Sequence, residues 1–563
     1  MTTRANQRTG GQLLVDTLRL NGTDTVFCVP GESYLAVLDA LFDVQGDIRV
    51  LACRQEGGAA NMAEAYGKLT GRPGICMVTR GPGASNAAIG VHTAMQDSTP
   101  MILFIGQVGR DMTGREAFQE VDLVQMFQPL AKWTVQIEDP ARVPETVGRA
   151  FQTALAGRPG PVVVALPEDM LREPAAAELG DAATVVRAYP NPRDMARLHD
   201  MVAASKRPLM MLGGGGWSAP TRDAMMAFAE ANDIPTTVSF RCQDYFDNEH
   251  PNYVGHVGIG LDAKLAERVK QADLLIVVGP RLGEITTSGY TLIEPPRPKQ
   301  RLIHVHAGAE ELGRVYQADL PINAGMAEFA AAAAELAAVD ASARADWTTG
   351  ARAEFEASFE ASPQPGALDM IAVMTYLRTR LPTDAIVTNG AGNYAQWCHK
   401  FYRYRDYRTQ LAPTSGAMGY GVPAGVAAAA VHPDRLVVSF SGDGCFMMCG
   451  QELATAVQYG LKPIFVIVNN AMYGTIRMHQ ERHYPERIIA TDLINPDFVA
   501  YAKAFGAHGE LVERTEDFEP AFERAVAAGR AAVLELKLDP QALTPRQTLD
   551  QIRQASIGNQ TGG

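Results

Sequence analysis

Two polar residues in the last third of the chain could together bind a metal ion and a phosphate group. Asp443 lies in a Gly-Asp-Gly turn after the apolar segment 436–440, and Asn470 follows the apolar segment 463–468. In a β-α-β unit both residues lie at the carboxyl ends of neighbouring parallel strands, where open α/β sheets bind ligands. One carboxylate and one amide oxygen, beside glycines that let backbone N–H groups approach, suit Mg2+ that holds a diphosphate. A lone Asp or Asn after a strand is usually a helix cap, so the prediction depends on the whole pattern.

Three other segments place residues with cofactor-binding chemistry next to glycines. Asn393 and Tyr394 follow Gly-Ala-Gly after a predicted strand, and an ordinary helix cap is the alternative for Asn393. Gly416 and Met418 lie in a glycine-spaced turn before an alanine-rich helix, where a methionine is most often part of the core. Glu56 follows a strand and begins a helix, where an acidic residue ordinarily interacts with the helix dipole. Each segment therefore has a structural interpretation beside the functional one.

The composition is that of an ordinary globular protein and argues against several classes of partner. At about 150 residues per domain, the 563 residues suggest three or four domains. A net charge of -13 without a dense run of lysine and arginine argues against nucleic acid binding. No apolar run reaches the roughly 18 residues of a membrane span, so no membrane contact is expected. The seven scattered cysteines and an opening segment without an apolar core predict a cytoplasmic protein.

Strand-like and helix-like segments alternate along the chain, which predicts an α/β fold with parallel sheets. Two loose segments, 173–192 and a proline-rich stretch near 362–365, divide the chain into three units. We expect the alanine- and glutamate-rich segment 327–345 to be a solvated helix, and the polar tail 545–563 to be ordered only by contact with its neighbours. The predicted architecture is three consecutive doubly wound parallel-sheet domains, at 8–172, 192–340 and 367–543.

The segments around these residues resemble the acetolactate synthase group of thiamine diphosphate (ThDP) enzymes along most of the chain. Beside the GDG and NN patterns, the matching stretches include QEGGAANMAEAYGKLTGRPG, RGPGASNAAIG, DSTPMILFIGQV, GAMGYGVPA and HQERHYPER. The resemblance implies a pyrimidine-binding domain, a central domain and a pyrophosphate-binding domain, in that order, with ThDP and Mg2+ as cofactors. It also implies an enzyme that decarboxylates pyruvate or a similar 2-ketoacid and then adds the remaining fragment to a second carbonyl compound.

On the metal and phosphate side, the resemblance assigns most roles to the third unit. Asp443, Asn470 and the backbone carbonyl of Met472 would bind the metal, so a methionine side chain at that place raises no objection. The helix that begins at Gly444 and Cys445 would direct its N-terminus towards the phosphates. The other expected cofactor contacts are Gly442, Tyr473, Gly474, Asn393, Tyr394 and, from the first unit, Pro82.

On the pyrimidine side, the resemblance implies that Met418 presses the cofactor into a V shape and that the Gly416 carbonyl accepts a hydrogen bond from its amino group. Glu56 would hydrogen-bond the pyrimidine ring and so activate that amino group as an internal base. Gln119 and Lys132 would lie beside the substrate channel, with Gln119 as a candidate hydrogen-bond donor to ThDP-bound intermediates. The group also implies a homodimer or homotetramer in which one subunit supplies Glu56 and another supplies the metal site.

Two departures from the synthase pattern leave the reaction open. Glu32 follows Pro-Gly where synthases carry Pro-Gly-Gly-Ala, and an acid there is similar to pyruvate-type decarboxylases. In a water-poor pocket the pKa of Glu32 would be raised and its carboxyl could carry protons; the alternative is an acid near the start of the next helix. His479 stands where the synthases have a tryptophan that helps to select the second ketoacid. The alternative function is therefore a ThDP-dependent 2-ketoacid decarboxylase or a 1,2-diketone hydrolase.

The middle unit leaves the binding of FAD open. Four glycines at 213–216 follow a strand, but no acid about 20 residues further on completes a dinucleotide-binding pattern. In the resembled group FAD in this domain is structural, and the segments 255–258 and 279–282 match its flavin-binding loops. Arg281 could pair with a phosphate. FAD is therefore an open alternative beside the expected ThDP and Mg2+.

Overall fold

Three six-stranded sheets follow one another in the computed structural model, which describes residues 7–360 and 362–561. Every pair of neighbouring strands within these three sheets is parallel. A parallel sheet is covered by helices on both faces, so its strands are apolar along their whole length. The strands Met101–Gln107 and Pro161–Pro167, for example, are buried at every position. The predicted α/β class with three doubly wound domains is confirmed.

The first domain has a sheet with the order β3-β2-β4-β5-β7-β6, and β1 pairs antiparallel with β8 at the start of the first linker. Its strands are β1 (Arg8–Thr9), β2 (Thr25–Cys28), β3 (Arg49–Ala52), β4 (Gly74–Thr79), β5 (Met101–Gln107), β6 (Trp133–Gln136), β7 (Pro161–Pro167) and β8 (Pro174–Ala175). Its helices are α1 (Gly10–Leu20), α2 (Leu35–Phe42), α3 (Glu56–Thr70), α4 (Arg80–Asp97), α5 (Leu123–Phe127), α6 (Val143–Leu155) and α7 (Glu168–Arg172).

The middle domain has a different strand order, β11-β10-β9-β12-β13-β14, which is the order of dinucleotide-binding sheets. Its strands are β9 (Pro208–Leu212), β10 (Thr236–Val238), β11 (Tyr253–His256), β12 (Leu274–Val278), β13 (Arg301–His306) and β14 (Leu320–Asn323). Its helices are α8 (Pro192–Ala204), α9 (Ala219–Ala231), α10 (Ala263–Gln271), α11 (Met326–Ala334) and α12 (Ala345–Ala357).

The third domain has the order β16-β15-β17-β18-β20-β19, so its chain path through the sheet repeats that of the first domain. Its strands are β15 (Ile386–Asn389), β16 (Gln410–Leu411), β17 (Val437–Gly442), β18 (Ile464–Asn469), β19 (His508–Val512) and β20 (Ala532–Lys537). Its helices are α13 (Met370–Arg380), α14 (Ala395–Phe401), α15 (Gly421–Val431), α16 (Asp443–Cys449), α17 (Leu453–Gln458), α18 (Gly474–His483), α19 (Phe498–Ala504), α20 (Thr515–Ala527) and α21 (Leu549–Thr561).

One hydrophobic core joins the first and third domains, whereas the middle domain is built on cores of its own. Helices α3 and α15 pack against each other through alanines and glycines, whose small side chains allow a close approach. Inside this contact the Tyr420 hydroxyl donates a hydrogen bond to Glu64 Oε2 at 2.5 Å. The two domains that carry the predicted site residues are therefore held together within one chain.

Two segments can be compared with their sequence-based expectation. The helix predicted over 327–345 ends at Ala334 and is not solvated, because Met326, Phe329, Ala330 and Ala333 form a buried face against α9. The polar tail forms α21, which packs on α18 and pairs Arg553 with the buried Glu481 at 2.5 Å; its last two residues, 562–563, lie outside the described part. Among the described helices, none has the length and apolar character that crossing a membrane requires.

Candidate cofactor and active site

Asp443 and Asn470 lie side by side because β17 and β18 are neighbouring strands, paired with Gly442 opposite Val468. Asp443 begins α16 directly after β17 and is only 2% exposed. Burial raises the pKa of its carboxyl, against the opposing effect of a hydrogen bond that Asn495 Nδ2 donates to Oδ2 at 2.7 Å. A buried carboxylate at this edge of the sheet is costly unless a cation is held beside it.

The loop after β18 turns through an unusual backbone conformation. Ala471 has a φ of 54°, the left-handed region, and its N–H donates to Asn469 Oδ1 at 3.0 Å. The Met472 carbonyl accepts from Gly474 N at 2.9 Å, while the Met472 side chain is buried in a small cluster with Met478 and Leu543. The predicted donors, the Asp443 carboxylate, the Asn470 amide and the Met472 carbonyl, are all oxygen ligands, and such ligands fit Mg2+.

A cavity of about 230 Å³ opens in front of these loops. It brings together every third-domain residue that the sequence predicts to contact metal or cofactor. These residues are Asn393, Tyr394, Gly416, Met418, Gly442, Asp443, Gly444, Cys445, Asn470, Met472, Tyr473 and Gly474. The cavity lining also includes Trp397, Leu538 and Leu543, to which no pattern in the sequence pointed.

Gly444 in the cavity wall has no room for a side chain, Gly442 is tightly packed, and Gly416 faces open space. A Cβ on Gly444 would lie 2.5 Å from the Tyr473 ring, and one on Gly442 would lie 3.0 Å from Tyr394 Cδ1. Gly416 has a φ of 68°, and a Cβ placed on it would meet no atom within 4 Å. The wall therefore forms a cradle of backbone around a free volume, as the binding of a diphosphate and a flat ring requires.

The cavity wall is held together by contacts among these same residues. Thr475 Oγ1 donates to Asn393 Oδ1 at 2.9 Å, which ties the loop after β15 to α18. Gly419 N donates to the Cys445 sulfur at 3.2 Å, and the Tyr394 hydroxyl lies 3.4 Å from the same atom. Burial raises the pKa of the Tyr394 hydroxyl well above its usual range, so it stays protonated. Cys445 thus links the turn that carries Met418 to the helix that begins at Asp443.

Glu56 and Pro82 lie on the first domain and do not line this cavity in the described chain. Glu56 begins α3, and Asn86 Nδ2 donates to its Oε2 at 2.8 Å. The turn before it is capped by Gln55, whose side chain accepts from Gly58 N at 3.0 Å. Pro82 is exposed in the first turn of α4. The structure therefore places the predicted activating acid on a separate surface from the predicted metal site.

The remaining first-domain predictions fall in three different environments. Glu32 is exposed and begins a single 3-10 turn after β2. Gln119 has a φ of 65°, and its carbonyl accepts from Gly81 N at 3.0 Å. Lys132 Nζ donates to the carbonyls of Thr153 at 2.5 Å and Ala156 at 2.7 Å, the free acceptors at the end of α6. Burial lowers the pKa of Lys132 to about 8.

Sequence reasoning missed the polar residues behind the metal loop. Asn495 Nδ2 reaches Asn469 Oδ1 at 3.1 Å as well as Asp443. Asn469 Nδ2 donates to Glu535 Oε1 at 2.7 Å, and Lys537 pairs with that carboxylate at 2.6 Å. A signal was present in the sequence, because Glu535 lies between two leucines in a strand whose residues before Lys537 are otherwise apolar.

Glu452 is a second residue that sequence reasoning missed. Its buried carboxylate accepts from Arg54 N at 3.1 Å and Gln55 N at 3.0 Å, and Thr455 Oγ1 donates to it at 2.5 Å. Burial raises the pKa of this carboxyl. A Cβ on Gly58 would lie 2.5 Å from Glu452 Oε1, so the close approach requires glycine. A third-domain acid thus holds the turn from which Glu56 projects.

A second cavity, of about 310 Å³, lies at the edge where β9 and β12 end; middle-domain residues form most of its lining, and Gln96 and Thr414 of the other domains complete it. Arg281 and Arg314 line it, and Arg281 Nη2 donates to the carbonyl and side-chain oxygens of Gln96, both at 3.1 Å. A Cβ on Gly214 would lie 2.0 Å from the Gly279 carbonyl oxygen, so packing between two loops already explains that glycine. Arginine side chains can pair with phosphates, although Arg314 already pairs with Glu311 at 3.4 Å, whereas the glycine run alone is no sign of a nucleotide.

Three family profiles match the chain in the order of its domains. They are described as the thiamine pyrophosphate enzyme N-terminal TPP binding domain (residues 8–126), central domain (195–333) and C-terminal TPP binding domain (390–536). The acetolactate synthase large subunit of Parasynechococcus marenigrum is 33% identical over 90% of this chain and 84% of its own length. The acetolactate synthase isozyme 2 large subunit of Escherichia coli is 30% identical over 94% of this chain and 95% of its own length.

The three sheets, the oxygen donors and the glycine-lined cavity are the features of a thiamine diphosphate-dependent enzyme. The chain belongs to the thiamine pyrophosphate enzyme family. Its similarity to acetolactate synthase large subunits extends through all three domains, as the motifs in the sequence predicted.

Proposed function

We propose that this protein is a ThDP- and Mg2+-dependent carboligase of the acetolactate synthase type. It would decarboxylate pyruvate or a similar 2-ketoacid and join the remaining fragment to a second ketoacid or an aldehyde. The observation that carries the proposal is the single third-domain cavity in which all twelve predicted third-domain contacts meet. Similarity to acetolactate synthases over 84% and 95% of their lengths supports the choice of reaction.

Some residues of the cavity would anchor the metal and the diphosphate, and others would orient the cofactor. When bound, ThDP supplies the group on which the negative charge left by the loss of CO2 is delocalised. Asp443, Asn470 and the Met472 carbonyl would hold Mg2+ and, through it, the diphosphate. Met418 would press on the cofactor, and the Gly416 carbonyl would accept a hydrogen bond from its amino group. The apolar lining, with Ile476 at its mouth, would exclude water from the reacting carbon.

The first-domain residues complete the site from another subunit in this proposal. Glu56 would hydrogen-bond the pyrimidine ring and so favour the basic form of its amino group, and Gln119 and Lys132 would orient substrate. The first domain exposes Leu35 by 60% and Phe118 by 72%, and α18 at the cavity exposes Ile476 by 54%. Apolar side chains in such positions favour a covered surface, so we expect a homodimer or homotetramer with active sites between subunits.

A second candidate function rests on Glu32 and His479. Glu32 follows β2 and Glu56 follows β3, so both acids lie at the carboxyl edge of one sheet. An acid there could protonate the decarboxylated fragment, which would give simple decarboxylation or the hydrolysis of a 1,2-diketone. His479 is exposed on α18, one turn beyond Ile476.

Product analysis separates the two candidates. Purified protein with ThDP and Mg2+ would be given a panel of 2-ketoacids, aldehydes and cyclic diketones, and products would be identified by mass spectrometry. Acetolactate or a homologous hydroxy-ketoacid is the expected result. Release of CO2 with only an aldehyde, or a ring-opened acid from a cyclic diketone, would establish the second candidate instead.

We further propose that the middle-domain cavity holds the adenosine diphosphate part of FAD without taking part in turnover. Arg281 and Arg314 support this proposal, and the strand order of the sheet is the one that binds dinucleotides. A yellow protein that releases flavin on denaturation is expected, and a colourless protein that releases none contradicts it. A cytoplasmic location remains a prediction from the sequence.

A further inference from the structure

The segment 491–495 runs alongside the metal loop in the opposite direction. Tyr473 N donates to the Thr491 carbonyl at 2.8 Å, and Leu493 N donates to the Ala471 carbonyl at 2.9 Å. Met472 and Asp492 form an antiparallel bridge between these two bonds. We call the segment 491–495 the strap, because it lies antiparallel to the backbone that carries two of the three proposed metal ligands, Asn470 and Met472.

Side chains of the strap alternate between the site and the solvent, as in an extended strand. Leu493 faces inwards, since its Cδ1 lies 3.2 Å from where a Cβ on Gly444 would be. Asn495 also faces inwards, onto Asp443, whereas Ile494 between them is 104% exposed. At the other end Arg477 Nε donates to Thr491 Oγ1 at 2.8 Å, which fixes the strap on α18.

A single atom, Asn495 Nδ2, forms hydrogen bonds to both segments that carry the proposed metal ligands. Its Nδ2 donates to Asp443 Oδ2 at 2.7 Å and to Asn469 Oδ1 at 3.1 Å. Asn469 Oδ1 accepts in turn from Ala471 N, the N–H of the left-handed residue between Asn470 and Met472. The Asn495 side chain therefore contacts both the Asp443 carboxylate and the residue that fixes the loop after β18.

We propose that Asn495 is a positioning residue for the metal site. It occupies Oδ2 of Asp443, so the carboxylate is presented to the metal through its other oxygen. This inference rests on the proposed function, because it assumes that Mg2+ and ThDP bind in the third-domain cavity. Partners that orient a metal ligand commonly change metal affinity by about 10–100-fold when they are replaced.

The inference is tested with Asn495→Ala, Asn495→Asp and the control Ile494→Ala. The aspartate has the shape of the asparagine but cannot donate, and it adds a negative charge beside Asp443. Ile494→Ala changes the neighbouring residue on the solvent side of the strap. Mg2+ affinity would be measured by calorimetry in the presence of ThDP, and ThDP binding by quenching of the fluorescence of Trp397, which lines the cavity.

We expect Asn495→Ala to weaken Mg2+ binding about 10–100-fold, Asn495→Asp to weaken it further, and Ile494→Ala to leave it unchanged. Tighter binding by Asn495→Asp would overturn the inference, because it would make residue 495 a direct ligand. If Asn495→Asp binds Mg2+ with wild-type affinity, the hydrogen bonds of Asn495 do not position the metal ligand, and the inference is also overturned. Wild-type protein that binds neither Mg2+ nor ThDP would overturn the proposed function itself, a result distinct from the other two.

Discussion

The first and third domains follow the same path through their sheets but differ in what the strand ends carry. In both, the second strand is at one edge, and the last two strands have exchanged places relative to chain order. The third domain places oxygen donors and a cavity after β17 and β18, whereas the first places an exposed Glu32 and a half-buried Glu56 after β2 and β3, outside that cavity. The comparison shows that the strand order sets where a site lies and the loops set its chemistry.

The two regions also differ in how their functional residues are held. Asp443 is fixed from within its own domain through Asn495, Asn469 and Glu535. The turn before Glu56, by contrast, is held by Glu452, which belongs to the third domain. The proposed metal site is therefore supported from within its own domain, while the turn before Glu56 depends on the domain packed against it.

Replacing Glu56 by glutamine tests whether the first domain supplies chemistry rather than binding. We expect kcat to fall by about 10²–10⁴-fold, because a general acid–base group is lost, while ThDP and Mg2+ still bind in the third domain. Steady-state kinetics and ThDP titration would measure both quantities, with Glu178→Gln, an exposed acid in the first linker, as control. An unchanged kcat would remove Glu56 from the reaction.

Replacing Asp443 by alanine tests whether the third domain supplies the metal site. Loss of the buried carboxylate should weaken Mg2+ binding by more than the roughly 10–100-fold that follows loss of a supporting residue. Calorimetric titration with Mg2+ would measure the loss, and Asp434→Ala, at an exposed position between α15 and β17, is the matched control. Binding at wild-type strength would mean that the metal lies elsewhere.

Replacing Glu452 by alanine tests the dependence of the first domain on the third. The N–H groups of Arg54 and Gln55 would lose their acceptor, which costs about 1–3 kcal/mol for each group left unsatisfied. Urea denaturation would measure the fall in the free energy of unfolding, with the exposed Glu513→Ala as control. Equal stability of the two variants would show that the turn before Glu56 does not need this acid.

Replacing Lys132 by methionine separates a structural role from a role beside substrate. Its pKa is about 8 in the folded chain because of burial, below the roughly 10.4 of an unfolded lysine. Between these values the unfolded chain binds the extra proton, so the free energy of unfolding of the wild type should rise with pH. Denaturation curves across this window should show a weaker rise in the variant. An unchanged slope together with a raised KM would favour the substrate channel.

Much of the third-domain site could be predicted because its residues belong to short, recognisable turns. Asp443, Asn470, Gly416 and Asn393 each follow a strand or precede a helix, and neighbouring parallel strands bring such positions to one edge. The helix predicted over 327–345 is shorter in the structure, and one of its faces is buried instead of facing solvent. This burial could not be predicted, because it depends on α9 packing against that face. Lys132 was expected beside substrate, and in this chain its ammonium group lies on the carbonyls that end α6.

The fold class, the number of domains and the third-domain turns could be read from the amino-acid order alone, because all of these depend on local periodicity and on residues close together in the chain. The packed chain was needed to show that the first and third sheets share one strand order. It was also needed to show that Asn495 lies on Asp443 and that Glu452 lies on the turn before Glu56. These contacts join residues 52 and 398 positions apart, and no local pattern encodes them. They exist because packed helices and sheets bring such residues together, and buried polar atoms must find partners there.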